Sequence, residues 1–307
     1  MNIFISADDK YILPAQVMLT SFFKNNNSET HTIYFMHRNT QQENINKLEA
    51  LVKTFNSEFV PIQITADNFK DFTATERFPI EVYFRLSIPS LLPETEERAL
   101  WLDVDLIVNK SLFDFYNQPF DEKVFIACRD TYVKEEHIKK LGLSSCETYI
   151  NSGVILFNLP VMRKVTLNDY YKFFEGNKDV IVFPDQDILN SFFENQIKIL
   201  ESDNYNVQIL DWRRNDYDLN SASIIHYVGP FKPWSKVYTN PAAEMWDKYY
   251  ALTFNKGKSY ILLQKLHRKF EKKISAPLRK FVLEIYNKSD LLKTIRRLLK
   301  LSLKRNF

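Results

Sequence analysis

Two aspartates separated by a single valine, Asp103 and Asp105, follow the apolar residues 99–102. Carboxylates this close repel each other unless a positive group lies between them. Side chains two positions apart on a strand point the same way, so both carboxylates could converge on one hard divalent cation. A D-x-D triplet is more often part of a solvated loop, but the apolar residues on either side place this one at the end of a predicted strand. The spacing therefore predicts a metal site at that strand end.

A histidine far along the chain could complete this site. His226 lies at the end of an apolar run in the segment IIHYVGPFKPW, and a neutral imidazole can be a third metal ligand. Later in the segment, Gly229 lets the backbone approach a ligand closely, and Lys232 offers a point charge for a phosphate. The alternative for His226 is a buried histidine beside a surface turn, with its hydrogen bonds satisfied inside the protein.

The segment SADDKY follows the first predicted strand and contains Ala7, Asp8 and Tyr11. Open α/β sheets bind ligands at the carboxyl ends of their strands. At such a position an aromatic ring can stack on a base, and a carboxylate can accept a hydrogen bond from a base N–H group. The segment therefore predicts part of a nucleotide site.

Two further triplets carry polar side chains at the ends of predicted elements. The D-Q-D triplet at residues 185–187 lies at a predicted helix start, where carboxylates are often plain N-caps favoured by the helix dipole. The N-S-G triplet at residues 151–153 lies just before a predicted strand. Both triplets are candidates for contacts with a bound ligand.

A framework of strands and helices must bring these segments together. Strand-like runs occupy residues 2–7, 32–37, 58–64, 99–103, 124–130 and 149–159, and helical patterns occupy residues 13–23, 41–55, 80–88 and 161–174. Strands that alternate with helices of this length indicate βαβ units and a mostly parallel sheet.

Composition sets the class of protein. A chain of 307 residues with 45% hydrophobic and 26% charged residues is typical of a soluble globular protein with one large domain and an appendage. The two cysteines, Cys128 and Cys146, form no disulfide framework and have no metal spacing, which favours a reducing compartment. No apolar run reaches the roughly 18 residues that a transmembrane helix needs. These features predict a cytoplasmic protein.

The C-terminal segment differs in charge from the rest of the chain. Residues 258–307 contain 15 Lys and Arg against 3 Asp and Glu, whereas the remainder contains 26 basic and 35 acidic residues. Apolar residues recur there at helical spacing: Leu262, Leu266, Phe270 and Ile274, then Leu291, Ile295, Leu298 and Leu299. The pattern predicts amphipathic helices with basic faces. They either pack on the protein or bind an anionic membrane surface, and their repetition through fifty residues favours the membrane. We therefore expect a catalytic domain at 1–253 and a basic amphipathic tail at 254–307.

Taken in order, the motifs resemble those of glycosyltransferase family 8. They are D-D-x-Y after the first strand, Arg85 in YFRLSIP, L-D-x-D, N-S-G-V-I-L-F-N, D-Q-D and H-Y-x-G-x-x-K-P-W. The resemblance runs from Asn2 to about Tyr250 and is to bacterial members that transfer galactose or glucose from a UDP-sugar to surface glycans. It implies a GT-A fold, which is a Rossmann-like mixed α/β sheet flanked by helices, here followed by the C-terminal basic helical extension. It also implies Mn²⁺ or Mg²⁺ as the cofactor and retention of the anomeric configuration.

The resemblance also implies roles for individual residues. The metal ligands would be Asp103, Asp105 and His226. The donor-binding residues would be Asp8 and Tyr11 at the uracil, Gly229 and Lys232 at the phosphates, and Arg85, Asn151, Asp185 and Gln186 around the hexose, with Asp130 nearby. Ala7 and Asp103 would also contact the donor. The catalytic residues would be Gln186, Asp185 and Lys232. The chain departs from the pattern at Lys10, where close relatives often have Asn.

The predicted function is therefore that of a metal-dependent retaining hexosyltransferase. It would move a hexose, with galactose favoured over glucose, from a UDP-hexose donor to a saccharide acceptor on a surface glycan, polysaccharide or glycoprotein. Gln186 is the only group that the family offers near the back of the anomeric carbon, and an amide is a poor nucleophile. We therefore expect same-face attack through an oxocarbenium-like transition state. Residues 258–307 would hold the enzyme at the inner face of the cell membrane.

The sequence leaves two alternative hypotheses for the function. A nucleic-acid-binding protein could use the basic tail, but it would need basic and aromatic residues on a shared surface, and the acidic body argues against it. A catalytically inactive family member could act as a scaffold for an active transferase. That reading is disfavoured because every metal-ligand position is present. We expect no nucleic-acid partner.

Overall fold

Apolar runs of the sequence become strands of two sheets in the computed structural model. The structure describes residues 1–65, 69–72, 78–210, 216–234, 241–257, 260, 261 and 264. The strands are β1 (Asn2–Ser6), β2 (Thr32–His37), β3 (Glu58–Gln63), β4 (Arg98–Leu102), β5 (Leu106–Val108), β6 (Phe125–Arg129), β7 (Ile150–Asn158), β8 (Ile197–Ile199), β9 (Val207–Gln208) and β10 (Ile224–His226). The larger sheet has the order β3-β2-β1-β4-β7-β6-β8, and the smaller has the order β5-β10-β9.

Helices cover both faces of the larger sheet. The α-helices of the described chain are α1 (Ile12–Asn25), α2 (Gln42–Lys53), α3 (Ile88–Leu91), α4 (Phe113–Tyr116), α5 (Glu135–Leu141), α6 (Leu159–Met162), α7 (Leu167–Asn177), α8 (Pro184–Phe192) and α9 (Ala242–Thr253), of which α9 packs with the smaller sheet. A strand buried on both faces reads as a continuous apolar run. In β1, Ile3 and Ile5 pack into the core on one face and Phe4 into the core on the other.

The predicted alternation of strands and helices is confirmed in the first half of the chain. Strands β1, β2 and β3 run parallel and are joined through α1 and α2, and β4 runs parallel to β1. Strand β7 runs antiparallel between β4 and β6, so the sheet is mixed. Strand β7 runs from Ile150 to Asn158, which confirms the strand-like run at 149–159, and the N-S-G triplet lies inside it rather than just before a strand.

Two predicted helices have a different form. Residues Ile80–Ser87 form a 3₁₀ helix and only then continue as α3. Four of its apolar residues are buried, and three of them, Ile80, Tyr83 and Leu86, recur every three positions, which matches the three residues per turn of a 3₁₀ helix; the fourth is Phe84. The helix predicted at 161–174 is two helices, α6 and α7. The break has a local cause, because Thr166 starts α7 with a capping box to Asp169.

The smaller sheet and α9 pack against α1. The Asn25 amide donates to the Tyr249 hydroxyl at 2.7 Å, and the hydroxyls of Thr20 and Thr253 are 2.9 Å apart. Beyond residue 257, only 260, 261 and 264 are among the described residues, so the predicted basic tail lies almost entirely outside them. Among the described helices, none has the length and apolar character needed to span a lipid bilayer.

Candidate active site

The connection from the larger to the smaller sheet carries the two aspartates. Strand β4 ends at Leu102 and β5 begins at Leu106, so Asp103 and Asp105 lie in a turn and not on a strand as we expected. Their convergence therefore does not come from strand alternation. The turn is held on both sides, since Asp103 N–H donates to the Gly153 carbonyl at 2.8 Å and the Asp105 carbonyl accepts from Tyr227 N–H at 2.9 Å.

Strand pairing brings the histidine to this turn. Strand β10 is antiparallel to β5, with His226 opposite Leu106. His226 Nε2 is 3.2 Å from Asp105 Oδ1 and 3.8 Å from Asp103 Oδ2, and the ligand atoms of the three residues lie within 4.8 Å of one another. Ligands that each bind one cation at about 2–2.5 Å have such separations. Two carboxylates and an imidazole suit a divalent ion such as Mn²⁺.

Arg85 binds two of the acidic side chains. Its guanidinium donates to Asp103 Oδ1 at 3.0 Å, packs over the Trp101 ring at 4.4 Å from the centroid, and lies 3.2 Å from Asp185 Oδ2. Trp101 Nε1–H also donates to Asp103 Oδ1 at 2.8 Å. Both donors engage the same oxygen of Asp103, so its Oδ2 is the oxygen that faces His226.

Lys232 lies against the other aspartate. Its ammonium donates to Asp105 Oδ2 and to the Tyr227 carbonyl, and its side chain is only 11% exposed. Burial alone would raise the pKa of Asp105, but the charges and hydrogen bonds of Lys232 and His226 hold that pKa well below its usual range. Asp105 is therefore ionised at neutral pH. The lysine that the sequence predicts at a phosphate is thus also the counter-ion of a predicted metal ligand.

A network of amides and acids lies beside the metal residues. Gln186 Oε1 accepts from Ser152 N–H at 3.0 Å and from Asn151 Nδ2 at 3.2 Å. Gln186 Nε2 donates to Asp130 Oδ2 at 3.0 Å, and Asn151 Nδ2 lies 3.3 Å from the same oxygen. The structure therefore brings together three of the residues expected around a donor hexose.

Asp185 lies in the same wall, and one of its oxygens is unusual. Arg85 Nε, its near neighbour, directs its hydrogen bond to the Val82 carbonyl, and among the described residues no donor hydrogen-bonds to the buried Asp185 Oδ2. Burial raises the pKa of Asp185, while the charge of Arg85 opposes the shift. A buried acceptor without a donor is costly, so this oxygen is suited to a donor group on a ligand.

Neither acid of the D-Q-D triplet is an N-cap. The cap position of α8 is Phe183, and no side chain caps it. Asp187 is fully buried and accepts from the Tyr149 hydroxyl, from the backbone N–H of Val182 and Phe183, and from His137, whose Nε2 is 2.8 Å away. These bonds fix the first turn of α8, which carries Asp185 and Gln186.

The residues predicted at uridine lie near enough to the candidate metal ligands for the charges of Asp103 and Asp105 to act on Tyr11. Asp8 caps a short 3₁₀ helix, with its Oδ1 accepting from the N–H groups of Lys10 and Tyr11 at 2.9 and 3.1 Å. Tyr11 is partly buried and meets Trp234 edge to face at 5.8 Å between centroids. Burial raises the pKa of Tyr11, and so do the charges of Asp105, Asp8 and Asp103. Ala7 is buried beside this turn.

Two glycines allow neighbouring side chains to pack directly against the backbone. Gly229 has φ of +76°, which favours glycine, and a Cβ there would lie 2.5 Å from Leu210. A Cβ on Gly153 would lie 2.3 Å from His226 Cε1 and 2.9 Å from Asp103 Oδ2. Only glycine at position 153 lets β7 pack directly behind the candidate metal ligands.

Replacing Gly153 by alanine should therefore displace His226 and Asp103 while the sheet stays folded. We expect Mn²⁺ affinity to fall about 10–100-fold, the usual cost of disturbing groups that orient metal ligands. Mn²⁺ titration and thermal unfolding would measure the two effects separately. The matched control is Gly176→Ala in α7, where the added Cβ meets nothing within 4 Å. Equal Mn²⁺ affinity in the two variants would contradict this view of Gly153.

Two residues of the site were not predicted from the sequence. The apolar pattern places Trp101 only in a strand, although its position two residues before Asp103 is compatible with a hydrogen bond between the two side chains. Asn206 belongs to no motif, yet it is fully buried and its side-chain oxygen lies 3.0 Å from His226 Nδ1. Nothing in the local segment SDNYNVQ marks it, because its contacts are with residues distant in the sequence.

Comparison with known proteins gives consistent matches. The family model for glycosyl transferase family 8 matches residues 2–237. The lipopolysaccharide 1,3-galactosyltransferase of Salmonella typhimurium is 25% identical over 259 residues, which cover 79% of this chain and 75% of that protein. The lipopolysaccharide 1,2-glucosyltransferase of Escherichia coli is 24% identical over 287 residues, which cover 88% of this chain and 84% of that protein.

Among solved structures, the crystal structure of the galactosyltransferase LgtC in complex with donor and acceptor sugar analogs superposes with a TM-score of 0.72. The alignment covers 82% of this chain and 96% of that one, at 24% identity. This similarity confirms the predicted GT-A fold.

Proposed function

This chain belongs to glycosyltransferase family 8, and from that premise we propose that it transfers a hexose from a UDP-sugar to a saccharide acceptor with retention of the anomeric configuration. The observation that carries the proposal is the convergence of Asp103, Asp105 and His226, whose ligand atoms lie within 4.8 Å of one another. They converge where the carboxyl end of β4 meets the smaller sheet, and carboxyl strand ends are the usual ligand edge of such sheets.

Asp103, Asp105 and His226 would hold Mn²⁺ or Mg²⁺. The donor set supports this, because two carboxylate oxygens and one imidazole nitrogen point at a common volume and the carboxylates are already partly balanced by Arg85 and Lys232. A bound divalent ion would stabilise the negative charge of the UDP leaving group.

Lys232 would supply a second positive charge to the leaving diphosphate. Breaking the glycosidic C–O bond leaves an electron pair on the β-phosphate, and a fixed cation beside that oxygen lowers the barrier as the charge develops. The Lys232 side chain is held by Asp105 and the Tyr227 carbonyl, so little reorganisation would be needed. Its position supports a role in the transition state.

The donor hexose would lie against Asp185, Gln186 and Asn151. Asp185 Oδ2 supports this placement, since it accepts no hydrogen bond from the described residues and a sugar hydroxyl could donate to it. Gln186 Oε1 already accepts from Ser152 N–H and Asn151, which makes it a still poorer nucleophile. We therefore propose same-face attack, in which the acceptor hydroxyl bonds to the anomeric carbon and its proton passes to an oxygen of the departing diphosphate.

The donor would be UDP-galactose in preference to UDP-glucose, and the acceptor a saccharide of a surface glycan. The relatives support the acceptor class, because both are named for transfer to lipopolysaccharide. They include one galactosyltransferase and one glucosyltransferase, and the two hexoses differ in a single hydroxyl orientation.

Donor hydrolysis tests the proposal without knowledge of the acceptor. The purified chain is incubated with UDP-galactose, UDP-glucose and UDP-N-acetylglucosamine, each with Mn²⁺ or with EDTA, and released UDP is measured. We expect slow release from a UDP-hexose, with UDP-galactose fastest, and only when Mn²⁺ is present. Equal release in EDTA, or release from none of the three donors, would contradict the proposal.

The basic segment 258–307 would locate the enzyme at the inner face of the cell membrane. The family match ends at residue 237, before this segment, and each Lys or Arg near an anionic leaflet contributes on the order of 1 kcal/mol. A chain ending at Asn255 should still hydrolyse the donor but should no longer sediment with anionic liposomes at low salt. Neutral phosphatidylcholine liposomes are the control. If the full-length protein ignores anionic liposomes, the tail has another role.

A further inference from the structure

Asn206 links the candidate metal ligands to the candidate hexose site. Its side chain is fully buried, with Oδ1 3.0 Å from His226 Nδ1 and Nδ2 donating to Asn151 Oδ1 at 2.9 Å. Asn151 in turn donates to Gln186 Oε1. A continuous chain of three amides therefore runs from the imidazole to Gln186.

Backbone groups fix the polarity of this chain, because an N–H group cannot become an acceptor. Gly153 N–H lies 3.1 Å from the Asn151 side chain, so the atom that faces it must be Oδ1. The Asn206 atom that contacts Asn151 Oδ1 must then be the amino group. Asn206 consequently turns its oxygen to His226 Nδ1.

The orientation of Asn206 decides which imidazole nitrogen can take a cation. An oxygen facing Nδ1 requires a proton on Nδ1, which leaves the lone pair on Nε2. Nε2 is the nitrogen that faces the carboxylates, 3.2 Å from Asp105 Oδ1. Histidine ligands are generally oriented in this way, by a hydrogen bond from their second nitrogen.

The other end of the chain orients Gln186. Ser152 N–H donates to Oε1 at 3.0 Å, which fixes the carbonyl there and directs Nε2 to Asp130. Asn151 reinforces that orientation only while its own amino group points at Gln186. Its amino group points there because Asn206 and Gly153 hold its oxygen on the opposite side.

The backbone of Asn206 is itself held firmly. It ends a 3₁₀ turn, Asp203–Asn206, whose Asn204 carbonyl accepts from Ser223 N–H at 2.8 Å. The neighbouring Tyr205 ring stacks on Phe115 at 4.9 Å. The amide is thus presented from a fixed position next to β10.

We propose that Asn206 is a positioning residue that directs His226 Nε2 toward the metal and, through Asn151, sets the amide of Gln186. This inference rests on the proposed metal and donor sites. It assigns one buried side chain to two tasks, and two substitutions can separate them. In Asn206→Asp, an oxygen still faces His226 Nδ1, but the second oxygen confronts Asn151 Oδ1. In Asn206→Leu, both contacts are lost.

The first measurement is Mn²⁺ affinity in the presence of UDP, read from the electron paramagnetic resonance signal of free Mn²⁺. We expect Asn206→Leu to bind Mn²⁺ about 10–100-fold more weakly than the wild type. Asn206→Asp should bind it at least as tightly as the wild type, since its carboxylate keeps the acceptor. UDP affinity at saturating Mn²⁺ should be unchanged in Asn206→Asp.

The second measurement is donor turnover. Despite normal Mn²⁺ and UDP binding, Asn206→Asp should lower kcat at least about tenfold, because repulsion at Asn151 Oδ1 turns its amino group away from Gln186. Asn26 provides the matched control. It is a buried amide that donates to the Phe22 carbonyl and accepts from Leu112 N–H, outside the candidate site. Asn26→Asp and Asn26→Leu should affect thermal unfolding only.

The outcomes distinguish this inference from the proposed function. If the wild type binds no Mn²⁺, the metal site itself is wrong, and the role of Asn206 falls with it. If the wild type binds Mn²⁺ and Asn206→Leu binds it equally well, only the role of Asn206 is wrong. A purely structural role would instead lower Mn²⁺ binding and kcat together in both variants, and that result would also overturn the inference.

Discussion

Replacement of Asp105 by alanine is expected to reduce Mn²⁺-dependent turnover of the UDP-sugar by about 10³-fold or more, equivalent to about 4 kcal/mol of transition-state stabilisation. The substitution removes a carboxylate that would bind the metal and also breaks the ion pair between Asp105 and Lys232. Asp103→Ala should have a similar effect. His226→Ala should reduce turnover less, because a water molecule can take the position of a single neutral ligand.

The fold should survive these substitutions because both aspartates lie in a turn, although each removal breaks an ion pair, with Arg85 or with Lys232, and should lower the unfolding temperature. Thermal unfolding checks this directly. The matched control is Asp218→Ala, which removes an exposed aspartate that accepts from the N–H groups of Asn220 and Ser221 away from the site. Asp105→Ala with turnover within a few fold of Asp218→Ala would show that Asp105 is not a metal ligand.

Replacement of Lys232 by alanine should lower kcat about 10²–10³-fold while donor binding weakens much less. Removing one fixed group that stabilises developing charge has a cost of this size. We expect kcat to fall more than donor affinity because contact with Lys232 would strengthen as charge builds on the leaving diphosphate. Steady-state kinetics, together with calorimetric binding of a UDP-sugar, separate the two quantities.

Lys198 is a close control for Lys232. Its ammonium also bridges a carboxylate and a carbonyl, with Asp121 Oδ2 and the Pro119 carbonyl each at 2.6 Å, but at the far edge of the larger sheet. Lys198→Ala should leave kcat unchanged. A Lys232→Ala enzyme altered only in KM would mean that the lysine holds the ground-state donor and no more.

The sequence predicts most of the framework because local pattern and burial agree there. Continuous apolar runs predict β1, β2 and β7, and the alternation with helices predicts the parallel half of the sheet. The α-helix expected near Ile80 is a 3₁₀ helix instead. Over a short segment, apolar residues three positions apart give nearly the same pattern as apolar residues three to four positions apart. The single helix expected at 161–174 is two helices because Thr166 and Asp169 form a capping box that starts a new helix within the apolar pattern.

The site could be predicted only as a set of motifs. Spacing identified Asp103, Asp105 and His226 as candidates for one cation, and the structure brings them together by pairing β10 with β5. Sequence spacing could not identify Asn206. Its importance depends on contacts with His226 and Asn151, which are 20 and 55 residues away in the chain. A buried amide has no sequence signature, since its environment is created only by the tertiary fold.

The central claim is that this site binds a divalent ion which bridges the protein to a nucleoside diphosphate, and UDP binding tests it most directly. Calorimetric titration of UDP into the full-length chain is compared in Mn²⁺ and in EDTA, for the wild type and for Asp105→Asn. We predict that Mn²⁺ tightens UDP binding at least about tenfold in the wild type, a typical coupling between two linked sites, and has little effect in Asp105→Asn. Wild-type UDP binding of equal strength in Mn²⁺ and EDTA, or an Asp105→Asn protein that responds to Mn²⁺ as the wild type does, would contradict the account.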